Sequence, residues 1–346
     1  KRFGEPGDKF LLTYREKDIK ENEDETIEAT IQEELGKPIK EYGNEYSRML
    51  IESKNIIFRG APGTGKSYLA KQIATDIISE GYFDKYESLN DEQKKQVEFV
   101  QFHQSYDYSD FVEGLRPKVN NDGSIGFELR DGIFKKFVAR AKKNYINAIS
   151  KQEELKKYIF IIDEINRGEI SKIFGELFFS IDPGYRGVAG EVSTQYSNLH
   201  KNPDEKFFIP DNVYIIGTMN DIDRSVDSFD FAMRRRFRFI EIKADERLEM
   251  LDVLGEKKEE AIRRMTALNN EIAKVKDLNE NYHIGGAYFL KLKTLNFDKL
   301  WSDYLKPLLQ DYVRGMYDED IIMKKFEKAY LNVLPKVGDG NDGIQD

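Results

Sequence analysis

Short apolar runs alternate with stretches of helical spacing along the middle of the chain. The runs cover residues 55–59, 97–102, 158–162, 213–218 and 237–242. The third run is apolar throughout, as expected for a strand in the middle of a parallel sheet, whereas the fifth alternates in polarity and favours a position nearer an edge. Because helical spacing follows the first run over 67–78, strands and helices alternate and predict a three-layer α/β domain with a parallel sheet.

The pattern changes after residue 244. Residues 246–275 and 297–326 show helical periodicity and no convincing strand, so a smaller all-helical lid domain is expected there. The predicted division is an acidic linker or remnant of an upstream domain at 1–45, the α/β domain at 46–244, the lid at 245–335 and a flexible tail at 336–346.

Composition excludes several classes of site. The 346 residues carry a net charge of -9, contain no cysteine and include three histidines far apart in sequence. Disulfides and thiolate zinc sites are therefore excluded, and a transition-metal centre is not expected. The net charge argues against a general binder of nucleic acid, and no apolar run approaches the ~18 residues that span a bilayer. We expect a reducing, cytoplasmic location and, because the chain starts at Lys1 rather than at a methionine, a missing upstream segment.

One glycine-rich segment carries the clearest chemistry. Gly60-Ala61-Pro62-Gly63-Thr64-Gly65-Lys66-Ser67 matches the pattern G-x-x-x-x-G-K-[ST] between an apolar strand and a helix. Its glycines let backbone N–H groups point at phosphate oxygens, and the helix adds its positive N-terminal end. Lys66 is expected to reach the β- and γ-phosphates, and the Ser67 hydroxyl is a hard ligand for Mg²⁺. This phosphate loop, with Tyr68 after it, is the predicted site for a nucleoside triphosphate, and a mere glycine-rich turn is the ordinary alternative.

Two adjacent acids end the third apolar run. A phosphate-loop enzyme needs a carboxylate on the Mg²⁺ side at the end of a neighbouring strand. Asp163 is predicted to hold the Mg²⁺ shell, and Glu164 to orient and deprotonate the attacking water. The fourth run leads directly into Met219 and Asn220, and the Asn220 amide is the candidate sensor of the γ-phosphate or the water. The ordinary alternatives are an acidic turn at 163–164 and an asparagine that caps a turn.

Arginines follow the candidate sensor. Asp223-Arg224-Ser225 comes first, and Arg234-Arg235-Arg236 comes next. Three consecutive arginines cannot all point into a core, so some of them face solvent or a partner. Guanidinium groups stabilise the charge that builds on a transferring phosphoryl group. If the domain forms a ring, one of these side chains is expected to reach the neighbour's nucleotide, and a solvated basic turn is the alternative.

Together the motifs resemble the AAA+ motor domains of the McrB family, the nucleotide-hydrolysing subunits of McrBC modification-dependent restriction systems. The matching segments are the phosphate loop and residues 100–106, 110–114, 116–117, 131–134, 161–167, 174–176, 213–237 and, in the predicted lid, 284–289. The most specific of them are the Gln-Phe-His-Gln-Ser-Tyr block at 101–106 and the Met-Asn-x-x-Asp-Arg-Ser block at 219–225. The resemblance runs from residue 55 to about residue 309.

This resemblance implies an AAA+ fold with a helical lid and a hexameric ring with nucleotide at the subunit interfaces. It also implies GTP as the favoured substrate, Mg²⁺ as the cofactor, and a partner nuclease subunit like McrC that docks into the ring pore and stimulates hydrolysis. Hydrolysis in this family drives DNA translocation, and a variable upstream domain reads modified DNA.

Matched position by position, the resemblance favours Arg235 as the arginine finger and puts Asp223 and Arg224 in the catalytic signature. It also puts Asn166 and Arg167 close to the active interface. Asp221 stands where the family signature has threonine and adds a negative charge beside the sensor. The lid offers no clear second arginine sensor.

Other functions remain open on the sequence. A MoxR-like AAA+ ATPase that remodels proteins shares the Asp-Glu-Ile-Asn-Arg motif at 163–167, although the block at 101–106 favours McrB. A non-enzymatic assembly scaffold is a third hypothesis, against which Glu164 and Asn220 argue. ATP stays an alternative to GTP, because no Asn-Lys-x-Asp guanine loop is present. Glu241-Ile242-Lys243 is expected to be strand surface, so the chain is not expected to be a nuclease.

Overall fold

The computed structural model describes residues 42–150, 153–222 and 231–332. These residues form two compact units. The first unit comprises the described residues of 42–58, 67–219 and 225–240, and the second comprises those of 59–66, 220–224 and 241–332. The phosphate loop up to Lys66 therefore belongs to the second unit, together with the helical lid.

The elements are as follows. The strands are β1 Asn55–Arg59, β2 Val97–Gln101, β3 Glu113–Val119, β4 Ile125–Asp131, β5 Tyr158–Asp163, β6 Val213–Thr218 and β7 Arg238–Glu241. The α-helices are α1 Glu45–Ser53, α2 Lys66–Ile78, α3 Asp91–Lys94, α4 Tyr108–Phe111, α5 Ile133–Ile149, α6 Ile170–Phe174, α7 Leu177–Ser180, α8 Phe231–Arg234, α9 Lys258–Ile272, α10 Phe297–Leu300, α11 Lys306–Val313 and α12 Glu319–Leu331.

Five strands form one sheet in the order β2-β5-β6-β1-β7. The pairs β2–β5, β5–β6 and β6–β1 are parallel. β5 and β6 are buried along almost their whole length, whereas β7 is partly exposed and lies at the edge. The predicted α/β class with a parallel sheet is confirmed. The residues that follow β5 and β6 lie at one edge of the sheet, since parallel strands end on the same side.

Aromatic side chains dominate the core of the first unit. The rings of Phe111 and Phe134 stack with centroids 4.7 Å apart, and Phe160 of β5 meets Phe134 edge-on at 4.9 Å. All three side chains are fully buried. Because burying one phenylalanine contributes about 1.5–3 kcal/mol, this cluster holds α5 firmly on the strand that ends in Asp163.

β3 and β4 form an antiparallel hairpin outside the main sheet. One face of the hairpin is apolar and consists of the pairs Leu115–Leu129, Pro117–Phe127 and Val119–Ile125. Phe127 is 71% exposed, and Val119 and Ile125 are exposed as well. The alternating polarity of both segments was a strand signal that the sequence analysis did not use.

The second unit is helical after β7, as the lid prediction required. Its separate core includes the fully buried Leu268, Phe289, Leu305 and Phe326. The helical stretch predicted over 246–275 is divided, because Gly255 adopts a φ of 55° inside the 3-10 segment Leu248–Lys257 that precedes α9. Glycine also separates two short helices of the first unit, since Gly175 has a φ of 50° between α6 and α7. In the described part of the chain, no helix has both the length and the apolar character that crossing a membrane requires.

Candidate active site

Two hydroxyls converge on one carboxylate at the end of β5. Ser67, in the first turn of α2, donates from Oγ to Asp163 Oδ1 at 2.5 Å, and Thr218 at the end of β6 donates from Oγ1 to the same oxygen at 2.5 Å. All three residues belong to the first unit. The sheet brings Thr218 beside Asp163, because β5 and β6 are parallel neighbours that end at the same edge. Thr218 is a member of this group that the sequence analysis did not assign.

The oxygen set fits Mg²⁺. A serine hydroxyl and an aspartate carboxylate in direct contact are hard ligands of the kind that Mg²⁺ uses with substrate phosphates and water. Among the described residues, no group of three or more acids, histidines or cysteines could hold a metal ion by itself. The ion would therefore take its remaining ligands from nucleotide and water.

Glu164 has an unusual backbone. Its φ and ψ are 50° and 46°, in the left-handed region, which costs a non-glycine residue about 1–3 kcal/mol. Its backbone N–H donates to Thr218 Oγ1 at 3.2 Å, so the same threonine contacts both adjacent acids. Arg167 Nε lies 3.3 Å from Glu164 Oε2, and the half-exposed guanidinium balances the charge of that carboxylate. Asn166, between them in sequence, is buried.

In the second unit, glycines shape the phosphate loop. Gly60, Gly63 and Gly65 have φ values of 133°, 78° and 83°, which side-chain-bearing residues rarely adopt. Lys66 Nζ lies 2.7 Å from the Ala61 carbonyl oxygen and 3.2 Å from that of Gly60. The lysine charge thus sits over the carbonyls at the start of its own loop.

Three further residues of the predicted phosphate site differ in burial. Thr64 is buried and donates from Oγ1 to the Ala61 carbonyl at 3.1 Å. Pro62 is half-buried, and Tyr68, in the first unit, is 53% exposed. Tyr68 is therefore accessible to a ligand or a partner.

A lid segment holds the loop backbone. Gly285 N–H donates to the Pro62 carbonyl at 3.1 Å, and Ala287 N–H donates to the Gly63 carbonyl at 2.8 Å. A Cβ on Gly285 would lie 2.2 Å from the Gly63 carbonyl carbon, so only glycine permits this approach. The Tyr288 ring covers Gly63 from the same side. The sequence of this segment, which resembles the McrB family at 284–289, gives no sign of this contact.

Residues near the sensor position also belong to the second unit. Asn220 is half-buried, and the Asp221 carboxylate lies 3.4 Å from Arg59 Nε. Arg247, which the sequence analysis did not single out, has a left-handed φ of 57° and approaches Gly65 of the loop. Asp223 and Arg224 lie outside the described residues.

The three consecutive arginines have different surroundings. Arg234 is exposed beside the Phe239 ring, and the Arg235 side chain is 67% exposed with Nε 4.0 Å from Asp182 Oδ2. The Arg236 side chain is only 8% exposed. Its carbonyl accepts from Asn55 Nδ2 at 2.9 Å, which places the cluster at the amino end of β1. Of the described side chains in this cluster, Arg235 is the one that combines exposure with a nearby acid.

A parallel sheet with a phosphate loop after β1 and paired acids after β5 defines an AAA-type P-loop domain. The family model for the AAA domain, dynein-related subfamily, matches residues 55–237, which is more than half of the chain, so the protein belongs to that family. A second family model, for the McrB alpha-helical lid domain, matches residues 260–320. The combination identifies an AAA+ motor domain of the McrB type, as the resemblance predicted, and does not favour the MoxR-like alternative.

Two characterised relatives agree with this assignment. The chain is 39% identical over 299 residues to the EcoKMcrB subunit of the type IV methyl-directed restriction enzyme of Escherichia coli (strain K12). That alignment covers 82% of this chain and 58% of the relative. It is 27% identical over 216 residues to the YdiS component of the type II restriction enzyme BsuMI of Bacillus subtilis (strain 168). That alignment covers 54% of this chain and 56% of the relative. The chain thus spans little more than half the length of either relative.

Likeness to solved structures is slight. PCH-2 of C. elegans aligns over 82% of this chain and 65% of its own, with 13% identity and a TM-score of 0.25. This likeness supports no argument about function.

Proposed function

We propose that this chain is the ring-forming motor subunit of a McrBC-like restriction complex and hydrolyses a nucleoside triphosphate, with GTP favoured. The observation that carries the proposal is the convergence of Ser67 and Thr218 on Asp163, with Glu164 directly after it. Hard oxygens and a second acid at the tip of a buried strand are what the Mg²⁺ side of a phosphate-loop enzyme requires.

Each residue takes a separate task in this proposal. The backbone N–H groups of the loop and Lys66 bind the β- and γ-phosphates. Ser67 and Asp163 would hold Mg²⁺, which would supply positive charge beside the phosphates. Glu164 accepts the proton of the attacking water, and Asn220 orients that water. The contact between Glu164 and Arg167 restrains the carboxylate until the water is in place.

The position of Arg235 supports action on a neighbouring copy. Arg236 is tied to Asn55 at the amino end of β1, whereas Asp163 lies at the carboxyl edge of the same sheet. These two levels of the sheet are about 10 Å apart, because Asn55 lies level with Phe160, three residues before Asp163, and each strand residue advances the chain by about 3.3 Å. We therefore propose that Arg235 completes the site of the next subunit in a hexameric ring.

The partners follow from the relatives. The E. coli relative is a subunit of a methyl-directed restriction enzyme, so we propose that hydrolysis here powers DNA translocation for a McrC-like nuclease subunit. The net charge of -9 favours local contacts with DNA over binding by the chain as a whole.

Steady-state hydrolysis of GTP and of ATP, each with and without the suspected nuclease subunit, tests the proposal. We expect turnover of GTP that rises when the nuclease subunit is added. Strong ATP turnover with negligible GTP turnover would overturn the assignment of the base. If neither nucleotide is hydrolysed under any of these conditions, the proposal that the chain is a nucleoside triphosphatase is wrong.

A mixing experiment tests the shared site. Arg235→Ala and Glu164→Gln should each hydrolyse poorly alone, because one lacks the finger and the other lacks the base. In a mixture, a Glu164→Gln copy can supply Arg235 to an Arg235→Ala neighbour that retains Glu164, so turnover should partly return. Arg234→Ala serves as the matched control and should need no such rescue. No gain on mixing would show that Arg235 does not act between subunits.

A further inference from the structure

Asp221 carries a nearly buried carboxylate next to the candidate sensor. Its side chain is only 9% exposed. Burial raises the pKa of the Asp221 carboxyl above its ordinary value, and the neighbouring Arg59 guanidinium opposes that shift. A carboxylate at such a position is costly unless nearby groups compensate its charge, so its surroundings indicate what it does.

Two contacts join Asp221 to the entrance of the phosphate loop. Asp221 Oδ2 lies 3.4 Å from Nε of Arg59, the last residue of β1. The Asp221 backbone N–H donates to the Gly60 carbonyl at 3.4 Å, and the same oxygen accepts from Lys66 Nζ at 3.2 Å. Asp221 and Lys66 therefore donate to the same carbonyl oxygen, that of Gly60, and Asp221 directly follows the sensor Asn220 in the chain.

Arg59 has a second acidic neighbour that makes a natural control. Glu241 Oε2 lies 3.9 Å from Arg59 NH2, but the Glu241 side chain is 40% exposed. Water screens an exposed pair of this kind, so the pair contributes little. The Arg59 carbonyl also accepts from Ile242 N at 2.9 Å, so the backbone is fixed while the guanidinium faces Asp221.

We propose that Asp221 is a positioning residue that ties the Asn220 sensor segment to the start of the phosphate loop through Arg59 and Gly60. A rearrangement of the loop around phosphate is then transmitted to the sensor amide, and the water that the amide orients is aligned only when phosphate is bound. The inference rests on the hydrolysis proposed above. Because the family signature has threonine at this position, the ionic tie belongs to this chain rather than to the signature.

The test is a double-mutant cycle on the full chain, with whichever nucleotide the unmodified protein hydrolyses. Asp221→Asn and Arg59→Gln should each lower kcat about tenfold while KM stays within about twofold. The double variant should be no slower than either single variant, because both changes remove the same tie. The control Glu241→Gln should leave kcat and KM unchanged.

Several results would overturn the inference. These are a full kcat in Asp221→Asn, additive losses in the double variant, or equal losses of kcat in Glu241→Gln. A rise in KM that accounts for the whole loss would mean that the loop itself has collapsed. Thermal unfolding monitors the fold, and Asp221→Thr replaces Asp221→Asn if the latter does not fold. The unmodified protein separates the two proposals, since its own failure to hydrolyse would refute the proposed function first.

Discussion

The first unit presents a group of polar side chains, whereas the second unit presents a loop that is shaped by its backbone. Ser67, Asp163 and Thr218 meet through hydroxyl and carboxylate groups at the edge of a buried sheet. The phosphate loop is instead shaped by glycines, and backbone bonds from Gly285 and Ala287 hold it. Substitutions that remove polar atoms should therefore impair the side-chain group of the first unit. Substitutions that add atoms should impair the phosphate loop of the second unit.

The largest effect should separate chemistry from binding. Glu164→Gln is expected to lose about 10²–10⁴-fold in turnover while nucleotide affinity is retained, since it removes only a general base. Lys66→Ala should instead weaken nucleotide affinity about tenfold to a hundredfold, because a charged hydrogen bond to phosphate is lost. Turnover and equilibrium binding measured on both variants check this contrast. Loss of affinity in Glu164→Gln would contradict it.

The next effect tests the dependence of the first unit on side chains. Asn55 donates to the carbonyls of Ile181 and Arg236 and accepts from Arg186 NH2 at 2.6 Å, all in the interior. Burial lowers the pKa of the Arg186 guanidinium to about 10, so losing its partner is costly.

Asn55→Ala should therefore lower the free energy of unfolding by about 3 kcal/mol, measured by chemical denaturation. Exposed Asn121 in the turn of the hairpin provides the control, and Asn121→Ala should change stability by less than about 0.5 kcal/mol. Equal stability of the two variants would contradict the role given to Asn55.

A smaller effect tests the backbone of the second unit. Gly285→Ala puts a Cβ 2.2–2.5 Å from backbone atoms of Gly63 and Thr64, and such overpacking costs about 1–3 kcal/mol. Nucleotide affinity should fall about tenfold in consequence. In Gly286→Ala the nearest atom is Met250 Sδ at 3.1 Å, on a flexible side chain that can move. The adjacent control should thus bind nearly normally, and equal losses in both variants would argue against the backbone contact.

The smallest expected change in stability is at an exposed residue of the β3–β4 hairpin, and it gives the baseline for the variants above. Phe127 lies on the exposed face of the hairpin and contributes little buried surface. Phe127→Ser should change the free energy of unfolding by less than about 0.5 kcal/mol. A larger change would mean that the hairpin is covered within the chain in solution.

The sequence predicted the parts of this molecule that depend on neighbouring residues. The run at 158–162 is apolar because both faces of β5 are buried, and the phosphate-loop pattern reflects local backbone needs. The contact of Gly285 with Gly63 was not predictable, because it joins segments more than 200 residues apart and depends on an absent side chain. Likewise, the surroundings of Arg236 include Asp182 and Asn55, which are distant in sequence, so its burial beside the exposed Arg235 was not predictable.

The left-handed backbone of Glu164 has a consequence for directed evolution. Glycine and asparagine adopt this conformation with less strain than glutamate does. A library screened only for heat resistance should therefore enrich glycine or asparagine at position 164 and discard the base. Thermostable variants of this motor should be sought with turnover included in the selection, because stability and catalysis make opposite demands on this one residue.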